Sequence, residues 1–126
     1  IADIGIVPSV YDHCPYSVLE MMANRIPLIM SRINGLDELL SDDECLFINP
    51  IISDEGDIAF NVEEMSELIL SLASNKDLRA RLAENSYGTF KRRFTSASMG
   101  EEMRNLFYSL LKQRKPEVKY ETSQGR

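Results

Sequence analysis

The chain has 126 residues, 44% hydrophobic and 27% charged, with a net charge of −6. That composition fits one soluble globular domain, and the acidic balance argues against a nucleic-acid surface, which needs a basic field to meet phosphates. No apolar run approaches the roughly 20 residues of a spanning helix, the opening residues carry no signal-peptide pattern, and one His with two scattered Cys makes no metal-ligand spacing.

Cys14 and Cys45 read as reduced thiols, which points to a cytoplasmic protein. The chain opens on Ile1 and enters a strand pattern almost at once, so it is expected to be a piece of something longer. Ile4 to Val7 is a short apolar run closed by Pro8 and Ser9, as in a buried parallel strand. Tyr11 to Pro15 reads as a loop, and Pro15 suits the first turn of a helix from Tyr16 to Asn24 with Val18, Leu19 and Met22 inward. Ile26 to Ser31 is the next strand, with Pro27 at its start. Asn34-Gly35 is a turn signal before a short helix over Leu36 to Leu40, and Cys45 to Pro50 is a third strand.

Strand, helix, strand, helix, strand with short links predicts a parallel α/β sheet with crossover helices. The segment 51–60, "IISDEGDIAF", reads as an acidic, irregular surface loop. Helices follow. Asn61 caps the first, with Glu64 reaching back and Met65, Leu68, Ile69 and Leu72 on one face. Ser74-Asn75 breaks it. The second runs from about Lys76 to Arg93, and the third from about Thr95 to Lys112 with a stripe of Met99, Met103, Leu106, Phe107 and Leu110. Residues 113–126 are polar and expected to be frayed.

One stretch suggests chemistry. In a parallel α/β sheet, ligands bind beyond the carboxyl ends of strands, where loops meet helix N-termini. The loop Ser9 to Pro15 lies at such a place, and the helix after it offers N–H groups from about Tyr16 to Val18 to an anion, with phosphate the usual occupant. Glu20, a turn further in, has the chemistry to accept hydrogen bonds from a vicinal diol such as a ribose. Asp12 has the same chemistry for hydroxyls beyond the phosphates. Two acids eight positions apart around a phosphate seat fit a nucleoside diphosphate sugar, although acids near helix starts are also common as plain dipole partners. Ser9 and Ser17 serve either a phosphate or the helix cap, and His13 either a ligand or the solvent.

Residues 1–38 resemble the C-terminal half of family-4-type glycosyltransferases with the GT-B fold. Pro8-Ser9 ends a strand, Asp12 and Glu20 stand as acid, seven residues, Glu, and Cys14-Pro15 precedes the helix. Pro27 lies in the next strand, and Gly35 is followed three residues on by Glu38. The later helices, with Phe94-Thr95 between two of them, are similar to the family's closing helices, so the resemblance spans residues 1 to 112.

The resemblance implies a Rossmann-like three-layer α/β/α domain that binds a UDP-, GDP- or ADP-linked sugar and transfers the sugar with retention, without metal or other cofactor. It implies that Glu20 holds the ribose hydroxyls, that Asp12 lies by the donor sugar, that the backbone at Tyr16, Ser17 and Val18 meets the diphosphate, and that Gly35 shapes the neighbouring turn. It also implies an acceptor domain and a basic diphosphate clamp upstream, so the chain alone is expected to be inactive, with an apolar last helix prone to self-association. This sequence departs from the family in three places: Asp12 for the usual Glu, Asn24-Arg25 for Ala-Gly, and Asn34-Gly35 for Gly-Gly. The first keeps a second reading open, a degenerate, non-catalytic binding or scaffold relative. A third, an unrelated Rossmann-like regulatory domain, has no reason to combine Pro8-Ser9, Asp12 and Glu20 in this order.

Overall fold

A computed structural model describes residues 2–113; of the expected frayed tail, 113–126, Gln113 closes the last helix and 114–126 lie outside the described residues. The elements are β1 (Gly5–Val7), α1 (Tyr16–Ala23), β2 (Leu28–Ser31), β3 (Leu46–Ile48), β4 (Pro50–Ile52), β5 (Ile58–Phe60), α2 (Val62–Ser74), α3 (Lys76–Arg93) and α4 (Ser96–Gln113). The chain divides into two compact units at Thr95–Ser96.

In the first unit β1, β2 and β3 form a parallel sheet in that order, with Gly5 opposite Leu28 and Ile29 opposite Leu46. Two loop bonds extend the ladder: Gly5 N–H donates to the Pro27 carbonyl at 2.9 Å and Arg32 N–H to the Ile48 carbonyl at 2.8 Å. Pro27 therefore stands immediately before β2, where its carbonyl joins the ladder and its missing N–H is harmless.

All four residues of β2 are buried, the mark of a strand covered on both faces. Strand alternation sends Leu28 and Met30 into one core with Val18, Met22, Leu36 and Phe47. Ile29 goes into a second core with Leu72 and Leu82, against which Leu68 and Ile69 pack. Helices thus cover both faces of the sheet, as expected for a Rossmann-like layered domain. Gly5 lets the Met21 and Leu28 side chains close over β1, and a Cβ there would oblige both to shift.

Helix boundaries follow local chemistry. The Asn61 side chain accepts from the Glu63 and Glu64 N–H groups, and Asn75 both ends α2 and caps α3 by accepting from Leu78 N–H. The end of α1 is a complete Schellman turn: Ile26 N–H reaches the Met21 carbonyl and Arg25 N–H the Met22 carbonyl. This turn needs a left-handed residue, and Arg25 supplies it with φ 53°. The usual Ala-Gly at this point meets the same demand with glycine. Here Arg25 Nε donates to Glu84 Oε2 at 2.9 Å, and its guanidinium lies 3.6 Å over the Tyr87 ring.

Two expectations are corrected. Residues 34–39 form consecutive turns, with Leu36 and Asp37 N–H both on the Ile33 carbonyl, rather than the expected short helix over Leu36 to Leu40. Buried Leu36, Leu39 and Leu40 are pulled to the core from a segment too short for regular helix. The segment 51–60 is not irregular but part of an antiparallel hairpin, β4–β5, pairing Pro50 with Phe60 and Ile52 with Ile58. Its turn closes through Ser53 N–H to the Asp57 carbonyl, with Gly56 at φ 90°. The surface position was expected correctly; the isoleucines flanking a Gly-containing turn were the missed hairpin signal.

The second unit contains α4. Its expected stripe, Met99, Met103, Leu106, Phe107 and Leu110, is exposed throughout. No helix among the described residues is long and apolar enough to cross a membrane.

Candidate functional site

The site loop, residues 8–15, leaves the carboxyl end of β1 and enters α1. Two neighbours fix it. The buried Ser31 hydroxyl, at the end of β2, lies 2.5 Å from the Ser9 carbonyl and 3.3 Å from the Val7 carbonyl, able to donate to either. Gly35 presses on the other side of the loop with φ 95°. A Cβ there would come within 2.7 Å of the Asp12 carbonyl oxygen and of His13 Cα. Gly35 therefore acts on the loop through its lack of a side chain, and the left-handed position of the turn is Gly35 itself rather than Asn34.

α1 begins after Pro15, which caps it with extended backbone (φ −68°, ψ 128°) and no side-chain hydrogen bond. Its first turn holds no acidic residue. Val18 N–H already donates to the Pro15 carbonyl at 3.0 Å, and the Val18 side chain is wholly buried. Of the three expected amides, those of Tyr16 and Ser17 precede it at the open end, on residues that are themselves exposed. Glu20 is exposed one turn further along α1. Asp12 is half-buried, and Ser9, also half-buried, contributes its carbonyl to the loop's anchor. His13 is exposed and hydrogen-bonds through Nε2 to Tyr11 Oη at 3.1 Å. Gly35 is thus brought against Asp12 and His13, and Glu20 stands apart from that contact on its helix.

The two thiols differ sharply. Cys14 is exposed in the loop. Cys45 is buried, and loss of solvation, with Asp42 nearby, pushes its thiol up to about 12. Among the described residues no group of three or more His, Cys, Asp and Glu is placed to hold a metal ion.

The glycosyl transferases group 1 family matches residues 1–89. The chain belongs to this family. This group 1 glycosyltransferase chain is similar to the alpha-D-kanosaminyltransferase of Streptomyces kanamyceticus, with 23% identity over 107 residues, 85% of this chain and 26% of the relative. Its fold matches that of the sucrose-phosphate synthase from Thermosynechococcus elongatus, with a TM-score of 0.72, 20% identity, and coverage of 88% of this chain and 26% of that one. The chain thus spans about a quarter of the length of each protein it matches. The family and the GT-B, Rossmann-like fold inferred from the motif are both found. Sequence reasoning missed the roles of Ser31 and Tyr11. A Ser ending a buried strand was a weak signal for the first, since its partner is 22 residues away.

Proposed function

We propose that this chain forms the donor half-site of a glycosyltransferase that uses a nucleoside diphosphate sugar and retains anomeric configuration. The observation that carries it is the open N-terminus of α1, uncapped and free of acids, directly after a loop held by Ser31 and Gly35. The diphosphate takes the Tyr16 and Ser17 amides and the positive end of the helix. Glu20 accepts from the ribose hydroxyls. Asp12 lies by the donor sugar. The oriented amides hold the charge that develops on the departing diphosphate beside an oxocarbenium-like sugar. No metal or other cofactor takes part in this reading. The acceptor domain and the basic clamp belong to the rest of the protein, so the chain alone does not turn over. The relative's name, a kanosaminyltransferase, supports a hexosyl donor. The protein is read as cytoplasmic, and the exposed stripe of α4 supports self-association of the isolated chain.

The test is binding of UDP, GDP and ADP, each against its 2′,3′-dideoxy form, to the wild type and to Glu20→Ala. Charge-assisted hydrogen bonds are each worth about 1.5–3 kcal/mol, so the wild type is expected to bind the ribonucleotide at least about tenfold better than the dideoxy form. Glu20→Ala is expected to lose that preference. A preference that survives the mutation removes Glu20 from the ribose.

A further inference from the structure

Consecutive turns pair fewer of their own carbonyls than a helix does, so the segment between β2 and β3 needs donors from outside. α3 supplies them. Arg93 Nη1 donates to the Glu38 and Leu39 carbonyls, each at 3.2 Å, and Asn85 Nδ2 donates to the Asp43 carbonyl at 2.7 Å. Between these two, Thr89, 2% exposed, donates to Glu44 Oε1 and accepts from Arg92 Nη2 at 2.5 Å. Glu44 in turn closes its own segment: its Oε2 accepts from Ser41 N–H at 2.9 Å, and its N–H donates to the Ser41 carbonyl at 3.0 Å. At its other end the same segment presses Gly35 against the backbone of Asp12 and His13. We infer that Thr89 and Arg93 of α3 are positioning residues for nucleotide binding: they set the Gly35 turn, and through it the donor loop. This rests on the donor-site reading above.

Asn85, Thr89 and Arg93 fall four residues apart, in one line along the helix. That line is not what fastens α3 to the domain. Leu82 is buried in one core, and Phe90 and Phe94 pack against the other. The polar line fastens the segment 38–44 instead. Apolar burial of Leu36, Leu39 and Leu40 holds the segment down without direction, whereas hydrogen bonds to named carbonyls fix where it stands. A buried hydroxyl facing a carboxylate with 13% of its side chain exposed is costly to bury and tolerates few alternative geometries. The position so fixed reaches the donor loop along a short path. Leu36 to Glu38 alone separate Gly35 from Leu39. The turn moves as one piece, since Leu36 and Asp37 N–H share the Ile33 carbonyl and Leu39 N–H takes the Leu36 carbonyl at 3.1 Å. Gly35 then meets the loop with no room for a Cβ, which would lie 2.7 Å from the Asp12 carbonyl oxygen, so a displaced turn displaces the loop.

The experiment compares backbone amides of the wild type, Thr89→Val, Thr89→Ser, Arg93→Gln and Asn61→Ala, first free and then titrated with UDP. Thr89→Val exchanges the hydroxyl for a methyl of similar size. In the free chain it is expected to speed hydrogen exchange of the Leu36 and Asp37 amides about tenfold and to shift the Asp12 and His13 amides. With UDP it is expected to weaken the response of the Tyr16 and Ser17 amides about fivefold. Thr89→Ser keeps the hydroxyl and is expected to restore all three readings. Arg93→Gln alters an exposed side chain, gives the same expectation as Thr89→Val, and covers the case in which the valine variant does not fold. Asn61→Ala removes the cap of α2 at a comparable cost in stability and is expected to move none of the three. Loop amides and UDP affinity unchanged in both Thr89→Val and Arg93→Gln would overturn the proposal, as would equal changes in Asn61→Ala or a serine variant that behaves like the valine one. Tyr16 and Ser17 amides silent to UDP in the wild type, with the free-chain readings as expected, would overturn the donor-site reading and leave the coupling of α3 to the loop standing.

Discussion

The N-termini of α1, α2 and α3 solve the same problem in two ways. Asn61 and Asn75 satisfy the first amides of α2 and α3 with side-chain oxygens, and both first turns carry acids: Glu63 and Glu64 in one, Asp77 in the other. These ends are neutralised from within. The start of α1 has Pro15 in place of a polar cap and no acid in its first turn. It is also the only one of the three that follows directly from the carboxyl end of a strand of the parallel sheet, where ligands gather in such folds. The contrast separates two helix starts satisfied by their own side chains from one that is not, the one that the proposed function gives to the diphosphate.

The comparison breaks most severely at Gly35. Gly35→Ala places a Cβ 2.7 Å from the Asp12 carbonyl at a positive φ. It is expected to cost about 3 kcal/mol, from strain and overpacking together, in urea unfolding, and to abolish the nucleotide response of the Tyr16 and Ser17 amides. Ser31→Ala removes the donor that holds the Ser9 carbonyl. About 1–2 kcal/mol is expected from the bond lost and the carbonyls left behind, with nucleotide binding weakened through the loop. Asn61→Ala and Asn75→Ala should each cost about 1 kcal/mol and leave nucleotide affinity unchanged. An affinity loss in either would erase the distinction between the helix ends.

Ser17→Glu sharpens it from the other side. An acid in the first turn of α1 is expected to stabilise the fold by about 0.5 kcal/mol and to eliminate nucleotide binding. A stability gain with intact binding would put the anion elsewhere. The smallest effect is expected at the other end of the same helix. Arg25→Gly relieves a left-handed arginine, worth about 1 kcal/mol, and gives up an exposed ion pair and ring contact of similar size. Unfolding should shift by less than about 0.5 kcal/mol in either direction.

Much of this was legible in the sequence because it is local. Asn61 before Glu63-Glu64 announces its own helix, Ser74-Asn75 its own break, and the apolar run 4–7 with the Pro27 strand its own parallel sheet. The family was legible because Asp12, Cys14-Pro15, Glu20 and Gly35 sit in a short motif. What escaped depends on contacts across the chain. Ser31 matters only because Ser9 folds back onto it. Arg25 conceals a glycine-like turn behind a pairing with Glu84, 59 residues on. The β4–β5 hairpin was obscured by its acidic turn, whose Ser53, Asp54, Glu55 and Asp57 outweigh the isoleucine pairs on either side. A cleft lined by Tyr11, Arg32 and Ile58 exists only after three separate segments converge.

The central claim, that α1 is left open for a diphosphate, is tested most directly by an amide titration of the chain with inorganic pyrophosphate and then UDP. The amides at the three helix starts are compared in one spectrum. The account predicts that Tyr16 and Ser17 shift with both ligands, while Glu63, Glu64 and Leu78 stay still. Silent Tyr16 and Ser17 amides, or equal shifts at all three helix starts, would contradict it.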